Sequence, residues 1–303
     1  MPKDISINLI DADILVYSAA FACASETEQW KVEWTARKMF ESNCRLSGCS
    51  HYLGFLTDSP TNFRIARATT WPYKGNRPKG EEKPTWFPMI RDYYKTLFQE
   101  VSGIEADDAL TIAAEHFGTL GIEVACSTKD KDLKQYPWKT FVDMNTDTVY
   151  SISEAEAHRN LWMQMLIGDV KVDNIPGISH AAKYQTPGEF NSKVRGGKDH
   201  LLGKKGAEDL LDLWSPEDYF ENVYALYLMA YDEDIGNTQE VIDTCEENNW
   251  TFGEYRFYET WDLIHMLLEC PKGVLVTYDY LPVPEGSKPR ISNEFHDMTE
   301  EDM

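Results

Sequence analysis

Acidic side chains recur along the chain in short motifs that could do chemistry together. They are Asp11 and Asp13, Asp58, the run Glu105, Asp107 and Asp108, the pair Asp130 and Asp132 in a Ser-Thr-Lys-Asp-Lys-Asp stretch, and Asp169 with Asp173 in Gly-Asp-Val-Lys-Val-Asp-Asn. No His or Cys stands within these motifs. A donor set made only of oxygen suits Mg²⁺ or Mn²⁺, whereas Zn²⁺ favours imidazole or thiolate. Gathered in one cleft, such anions repel strongly: two charges 4 Å apart cost about 4 kcal/mol even at an effective dielectric of 20. Bound divalent cations relieve that repulsion. Two ions about 3.5 to 4 Å apart activate a water and stabilise the leaving oxygen of a phosphodiester, which predicts a nuclease or another phosphoryl-transfer enzyme.

Each motif alone has an ordinary reading. Asp107 and Asp108 fall in the first turn of a predicted helix, where the dipole favours acids. Asp130 and Asp132 are equally at home in a loop, with Asp132 capping a helix. Asp58 precedes Ser59 and Pro60 as a turn former does, and Asp13, two residues past Asp11, is left as a non-ligand. The functional reading rests on their joint placement.

That placement comes from the elements. Ile5 to Ile10 reads as a buried strand ending at Asp11; Tyr52 to Leu56 ends near Asp58, Ile122 to Cys126 leads to Asp130 and Asp132, and Thr140 to Val142 ends at Asp143. Helical periodicity fills the intervals, as at Ala36, Met39, Phe40 and Cys44, and at Ala109, Ile112, Ala113 and Phe117. Strand and helix in alternation predict an α/β fold with a mainly parallel sheet, whose ligands sit beyond the carboxyl ends of the strands. Beyond a boundary near residue 160, Leu161 to Ile167, Gly203 to Trp214 and Asp218 to Met229 read as helices. Gly273 to Tyr280 is a candidate returning edge strand, and the Pro-rich acidic tail from Pro282 is expected to be mobile.

Composition sets further bounds. A chain of 303 residues buries a full core. Its longest uncharged, mostly apolar run, Ile14 to Ala24, is 11 residues, against the roughly 20 that a membrane helix needs. Six cysteines without C-x-x-C spacing fit a reducing compartment, so the expectation is a soluble, cytoplasmic protein with no membrane partner and no obligate protein partner evident. The net charge of −22, from 51 acidic and 29 basic residues, argues on its face against nucleic acid. The charge is segregated, however: residues 62–95 carry eight basic side chains against three acidic, and residues 171–205 carry seven against three. Residues 207–259 hold fifteen acidic side chains and one Arg.

Five motifs in order, Leu-Ile-Asp11-Ala-Asp13, Tyr73-Lys74-Gly75-Asn76-Arg77, Glu105-Ala-Asp107-Asp108, Ser127 to Asp132, and Gly168-Asp169 through Asp173-Asn174-Ile175-Pro176-Gly177-Ile178, resemble the 5′-nuclease superfamily. The likeness spans about residues 5–214. The Trp-Pro-Tyr-Lys-Gly-Asn-Arg segment, followed by Lys83, Pro84 and an aromatic-rich helix, is most similar to the phage 5′ to 3′ exonuclease branch, which would place the chain in a host cytoplasm if phage-encoded.

The resemblance implies a PIN-like core over residues 1–160, a helical arch at about 72–98, and a C-terminal helix-three-turn-helix DNA-binding region within 161–281, with 282–303 as tail. It assigns Asp11, Asp58, Glu105, Asp107, Asp108, Asp130, Asp132 and Asp169 to the metal cluster, with Asp173 a weaker candidate because one residue is added to the family's Asp-x-x-Asp spacing. Lys74 and Arg77 would meet the scissile phosphate, Lys as a point charge and Arg as a fork. Arg64, Arg67 and Tyr73 join the DNA track. Gly177 and the Gly203-Lys204-Lys205-Gly206 turn would grip duplex backbone through main-chain N–H groups, with K⁺ on nearby carbonyls. A segment from Ser179 to His200, carrying Lys183, Lys193, Arg195 and Lys198, departs from the family pattern; a longer DNA track and a plain loop weigh equally for it. Aromatics within 62–95, among them Trp71, Trp86, Phe87, Tyr93 and Tyr94, are expected mostly to pack, with some able to stack on frayed bases.

The implied activity is a metal-dependent 5′ to 3′ exonuclease with flap endonuclease potential, acting near 5′ ends, flaps or nicks of DNA, with RNA in RNA:DNA hybrids as a second substrate. The alternatives are a PIN-type ribonuclease and a non-cleaving metal-binding scaffold for branched DNA.

Overall fold

In the computed structural model the described residues are 5–77, 83–178, 202–231 and 238–285, with backbone alone for 59–61. The segment from Ser179 to His200 and the tail from residue 286 onward therefore lie outside them.

The sheet is built from β1 (Ser6–Asp11), β2 (His51–Asn62), β3 (Gln99–Gly103), β4 (Glu123–Thr128), β5 (Thr140–Asp143) and β6 (Thr148–Tyr150), in the order β3-β2-β1-β4-β5-β6. β1, β2, β3, β4 and β5 pair in parallel and β6 closes one side antiparallel. β1 is central and almost wholly buried, because Ile7, Leu9 and Ile10 are covered on both faces. The order reverses direction at β1: successive strands lie on one side of it and then on the other. The carboxyl ends of β1, β2 and β4 therefore border one crevice.

Helices α1 (Ala12–Ala22), α2 (Gln29–Ser47) and α4 (Phe87–Lys95) pack on one face through Leu15, Val16, Phe40, Phe87, Ile90 and Tyr94. Helix α5 (Ala106–Thr119) covers the other with Ala109, Leu110, Ala113 and Phe117. Helix α3 (Phe63–Arg67) follows directly after β2. A third cluster joins α6 (Glu154–Ile167), α7 (Lys204–Leu211), α8 (Tyr219–Ala230) and α10 (Phe252–Ile264), in a helical half to which α9 (Gln239–Asn248) adds Val241 and Cys245, packed on Tyr255 of α10. It centres on Trp162, Met165, Tyr227 and Phe257. A two-stranded hairpin, β7 (Gly168–Asp169) and β8 (Ile175–Pro176), follows α6.

Several expectations change. Residue 160 falls inside α6, whose Ala157 packs in the sheet core while Leu161 and Trp162 pack in the helical core, so the two halves share that helix. The far half of the 72–98 segment is not raised above the sheet: Phe87, Ile90 and Tyr94 of α4 are buried in the body. Gly273 to Tyr280 forms no strand; the returning strand is β9 (Leu281–Pro282), antiparallel to the start of β2. Where a helix-three-turn-helix is expected, the β7–β8 hairpin and α7 are described, and the chain between Ser179 and Leu201 lies outside the described residues.

Candidate active site

Asp11 ends β1 and caps α1, accepting the Ile14 N–H at 3.1 Å. Its second oxygen accepts the Thr128 hydroxyl at 2.8 Å, and Thr128 Oγ1 in turn accepts the Asp130 N–H at 2.9 Å. Asp130 Oδ1 accepts the Asp132 N–H at 2.9 Å. Neighbouring strand ends are thereby tied into one chain of bonds from Asp11 to Asp132. Thr128, a neutral hydroxyl, carries no signal in a search for ionisable groups.

Glu105 and Asp108 form a reciprocal capping box at the start of α5. Glu105 also accepts the Tyr73 hydroxyl at 2.7 Å and the Asn62 amide at 3.1 Å, and pairs with Lys74. Burial alone would raise the Glu105 carboxyl, but Lys74 and Arg64 beside it outweigh that and hold it below its usual range. Asp13 accepts the Thr57 N–H at 3.1 Å and Arg91 at 3.3 Å. Asp58, exposed, accepts the Ser102 hydroxyl at 3.1 Å.

Asp11, Asp13, Asp58, Glu105, Asp107 and Asp130 line one cleft of about 700 Å³, with Lys74, Arg77 and Arg91 among its walls. Asp13 thus lies with the others, against its reading as a bystander. Tyr17 and Phe87, ring centroids 4.9 Å apart, form an aromatic wall of the cleft, which the sequence does not mark because the two lie 70 residues apart.

Asp132, Asp169 and Asp173 make a second group, with one carboxylate oxygen from each lying within 4.8 Å of the others. The hairpin brings Asp173 back: its N–H reaches the Asp169 carbonyl at 3.1 Å, so one turn of chain absorbs the extra residue that weakened Asp173 as a candidate. Gly168 and Gly177 allow the hairpin to close. Gly168 has φ +68°, and a Cβ on Gly177 would lie 2.4 Å from the Gly168 nitrogen. The loop carrying Lys74 docks on this hairpin: the Lys74 N–H donates to the Asp173 carbonyl at 2.8 Å, Asn174 to the Pro72 carbonyl at 2.9 Å, and Arg77 pairs with Asp173 at 2.9 Å. Lys74 itself sits at φ +55° and lies 3.8 Å from Asp173. Lys131 pairs with Asp169 at 2.7 Å.

Burial pushes the Asp11 carboxyl up to about 7, with Asp13 and Asp130 adding repulsion. Burial and then Asp130 push Asp132 to about 7. Asp107 is raised well above its ordinary range by burial and by Asp108 and Glu105. Buried anions crowded without enough positive charge form an oxygen-only donor set that fits a hard divalent cation.

Other expected site residues sit elsewhere. Asp108 is fully buried and bound bidentately by Arg64 at 2.5 and 2.8 Å, and it also accepts the Leu267 N–H at 3.2 Å. It is an internal counter-ion rather than a ligand facing the cleft. Arg64, 1% exposed, is equally withdrawn from any DNA track, and it donates to the Leu263 carbonyl at 2.9 Å. Arg67 pairs with Asp262 at 2.5 Å and lies over Tyr255. Tyr73, by contrast, does line the cleft, largely buried and with its hydroxyl donating to Glu105. Gly177 and Gly206 are buried, while Gly203 is exposed with Lys204 and Lys205, which pair with Glu208 and Asp209 one turn on.

No family model matches the chain. Over 139 residues it is 30% identical to a protein named 5'-3' exonuclease from Aquifex aeolicus (strain VF5), an alignment covering 42% of this chain and 47% of that protein. The chain thus matches about half the length of this curated relative. Among solved structures, a mutant T5 5′-exonuclease is 15% identical, covering 86% of this chain and 87% of that chain, with a TM-score of 0.49. A bacteriophage T5 flap endonuclease, in a pseudo-enzyme-product complex with DNA and metal ions, is 17% identical, covering 84% and 99%, also with a TM-score of 0.49. The named relative bears out the resemblance to the 5′-nuclease superfamily that the motifs carry.

Proposed function

We propose that the chain is a hydrolase of nucleic acid, a divalent-metal-dependent 5′ to 3′ exonuclease with flap endonuclease capacity. The observation that carries this reading is the cleft itself: six carboxylates from four strand or helix ends share one crevice with Lys74 and Arg77, beside the Asp132, Asp169 and Asp173 group. The Asp132, Asp169 and Asp173 group, whose oxygens converge, would hold one cation, and the acids lining the cleft, Asp11, Asp13, Asp58, Glu105, Asp107 and Asp130, would hold another. When bound, Mg²⁺ or Mn²⁺ supplies a polarised water and charge to offset the phosphate.

The protein's own groups do the rest. Lys74 and Arg77 border the acids where a phosphate entering the cleft meets positive charge, and Arg77 is half exposed and able to turn from Asp173 to a phosphate. Main-chain N–H groups at Gly203 to Lys205, beside two exposed lysines, would hold duplex backbone without reading sequence. K⁺ near that turn, and RNA strands in hybrids as a second substrate, belong to the same reading.

A non-cleaving scaffold would not need Lys74 and Arg77 among the acids. The test is incubation with 5′-labelled duplex, nicked, flap and RNA:DNA substrates in Mg²⁺ and then in EDTA. Metal-dependent release of 5′ mono- or short oligonucleotides is expected. Binding of branched DNA without any cleavage in Mg²⁺ or Mn²⁺ would select the scaffold, and cleavage confined to RNA would select the ribonuclease.

A further inference from the structure

Asp132 stands among Asp130, Asp169 and Asp173. Left to repulsion, its side chain would turn away from them. What holds it is an uncharged side chain on α6: Gln164 donates its amide N–H to Asp132 Oδ1 at 2.7 Å. Gln164 is 8% exposed, deep for a glutamine. Its own carbonyl oxygen accepts the amide of Gln135, which also donates to the main-chain carbonyl of Ile264 at 3.1 Å, at the last residue of α10.

The direction of this relay follows from its ends. A peptide carbonyl can only accept, so the nitrogen of Gln135 must face Ile264, and that same nitrogen serves the Gln164 oxygen. Gln164 is left with its nitrogen toward a carboxylate, which when ionised also only accepts. An amide is suited to this position, because it donates to the anion without introducing a charge that would pair with the carboxylate or repel it. Helix α6 holds the short turn Asp132–Gln135 a second time, through the Asn160 amide on the Lys134 carbonyl at 3.0 Å.

We infer that Gln164, oriented by Gln135, is a positioning residue that sets the Asp132 carboxylate for cation binding in the Asp132, Asp169 and Asp173 group. The inference rests on the proposed metal-dependent reading and deepens it. It also gives the helical half of the molecule a direct mechanical link to the acidic group, from the end of α10 through two amides to one carboxylate.

The test uses the full chain, stripped of metal, as wild type, Gln164→Met and Gln135→Met; methionine keeps the length of glutamine without its amide. Mn²⁺ binding without DNA is followed by electron paramagnetic resonance, and the Mg²⁺ dependence of cleavage by a 5′-labelled duplex. Gln164→Met is expected to weaken one class of Mn²⁺ site by about tenfold or more, as removal of an outer partner of a ligand does, and to raise the Mg²⁺ needed for half-maximal cleavage by a similar factor. The rate at saturating Mg²⁺ recovers, and Gln135→Met shifts both readings the same way by less. Wild-type protein that binds and cuts, together with variants of unchanged Mn²⁺ affinity, overturns the relay alone. Wild-type protein that neither binds Mn²⁺ nor cuts overturns the proposed function, and the relay with it. Should Gln164→Met fail to fold, Gln135→Met decides on the same two readings.

Discussion

At the scale of single residues, the chemistry depends on which charges face the cleft and which face each other. Asp130 lines the cleft and also anchors Asp132, so Asp130→Ala should remove cleavage, by about a thousandfold or more, on the scale by which removing one preorganised electrostatic group slows an enzyme, while duplex binding in a filter or gel-shift assay changes little. A variant cutting at the wild-type rate would remove Asp130 from the site. Lys74→Ala should lower kcat more than it raises KM, because the ammonium sits among the acids rather than on an outer surface. A pure KM effect would assign Lys74 to binding. The acidic motifs were legible in the sequence because hard-cation chemistry needs those residue types at strand ends. What could not be read was pairing: Asp108 and Arg64 each count as a functional charge in the sequence, and each is cancelled by the other in the core. Thr128 and Gln164 escaped notice for the opposite reason, since neutral donors become visible only once their acceptors are placed.

At the scale of elements, α10 acts as the anchor for the segment leading to the Lys74 loop. Its buried Glu259 accepts the N–H groups of Thr69 and Thr70 at 2.6 and 2.8 Å, Asp262 pairs with Arg67, and the Leu263 carbonyl accepts from Arg64. Breaking a buried ion pair by removing one partner typically costs about 3 to 5 kcal/mol, so Arg64→Met should destabilise the chain by about that amount in urea unfolding. A loss below about 0.5 kcal/mol would show that the pair is idle. Central strands and covering helices could be anticipated from apolar runs and periodicity, as β1 and α5 illustrate. The edge strands β3 and β6 could not: Gln99–Gly103 and Thr148–Tyr150 are short, polar or exposed, and only their neighbours make them strands. The continuity of α6 across residue 160 was hidden because its apolar side chains serve two different cores.

At the scale of the whole molecule, an acidic chain keeps a small cationic region within reach of a concentrated anionic one. Of the described basic side chains between 62 and 95, Arg64, Arg67 and Lys95 pair with acids away from the cleft, whereas Lys74, Arg77, Lys83 and Arg91 line it, and of these Lys74, Arg77 and Arg91 pair with acids of the site. Among the described residues no helix is long and apolar enough to cross a membrane. The raised carboxyls of Asp11 and Asp132, at about 7, set a pH dependence. An acid whose folded pKa exceeds its unfolded value stabilises the fold while protonated, and that contribution fades as pH rises from about 4 through about 7. In EDTA the melting temperature should therefore fall between about pH 5 and about pH 8, and divalent-cation affinity should rise over the same interval because the ligands must lose protons. Cation affinity independent of pH would contradict this origin of the shifts.

The most direct measurement is an anomalous difference map from crystals grown with Mn²⁺. The account predicts one peak among Asp132, Asp169 and Asp173 and a second among the acids that line the cleft. Well-ordered carboxylates at both places with no peak at either would contradict it.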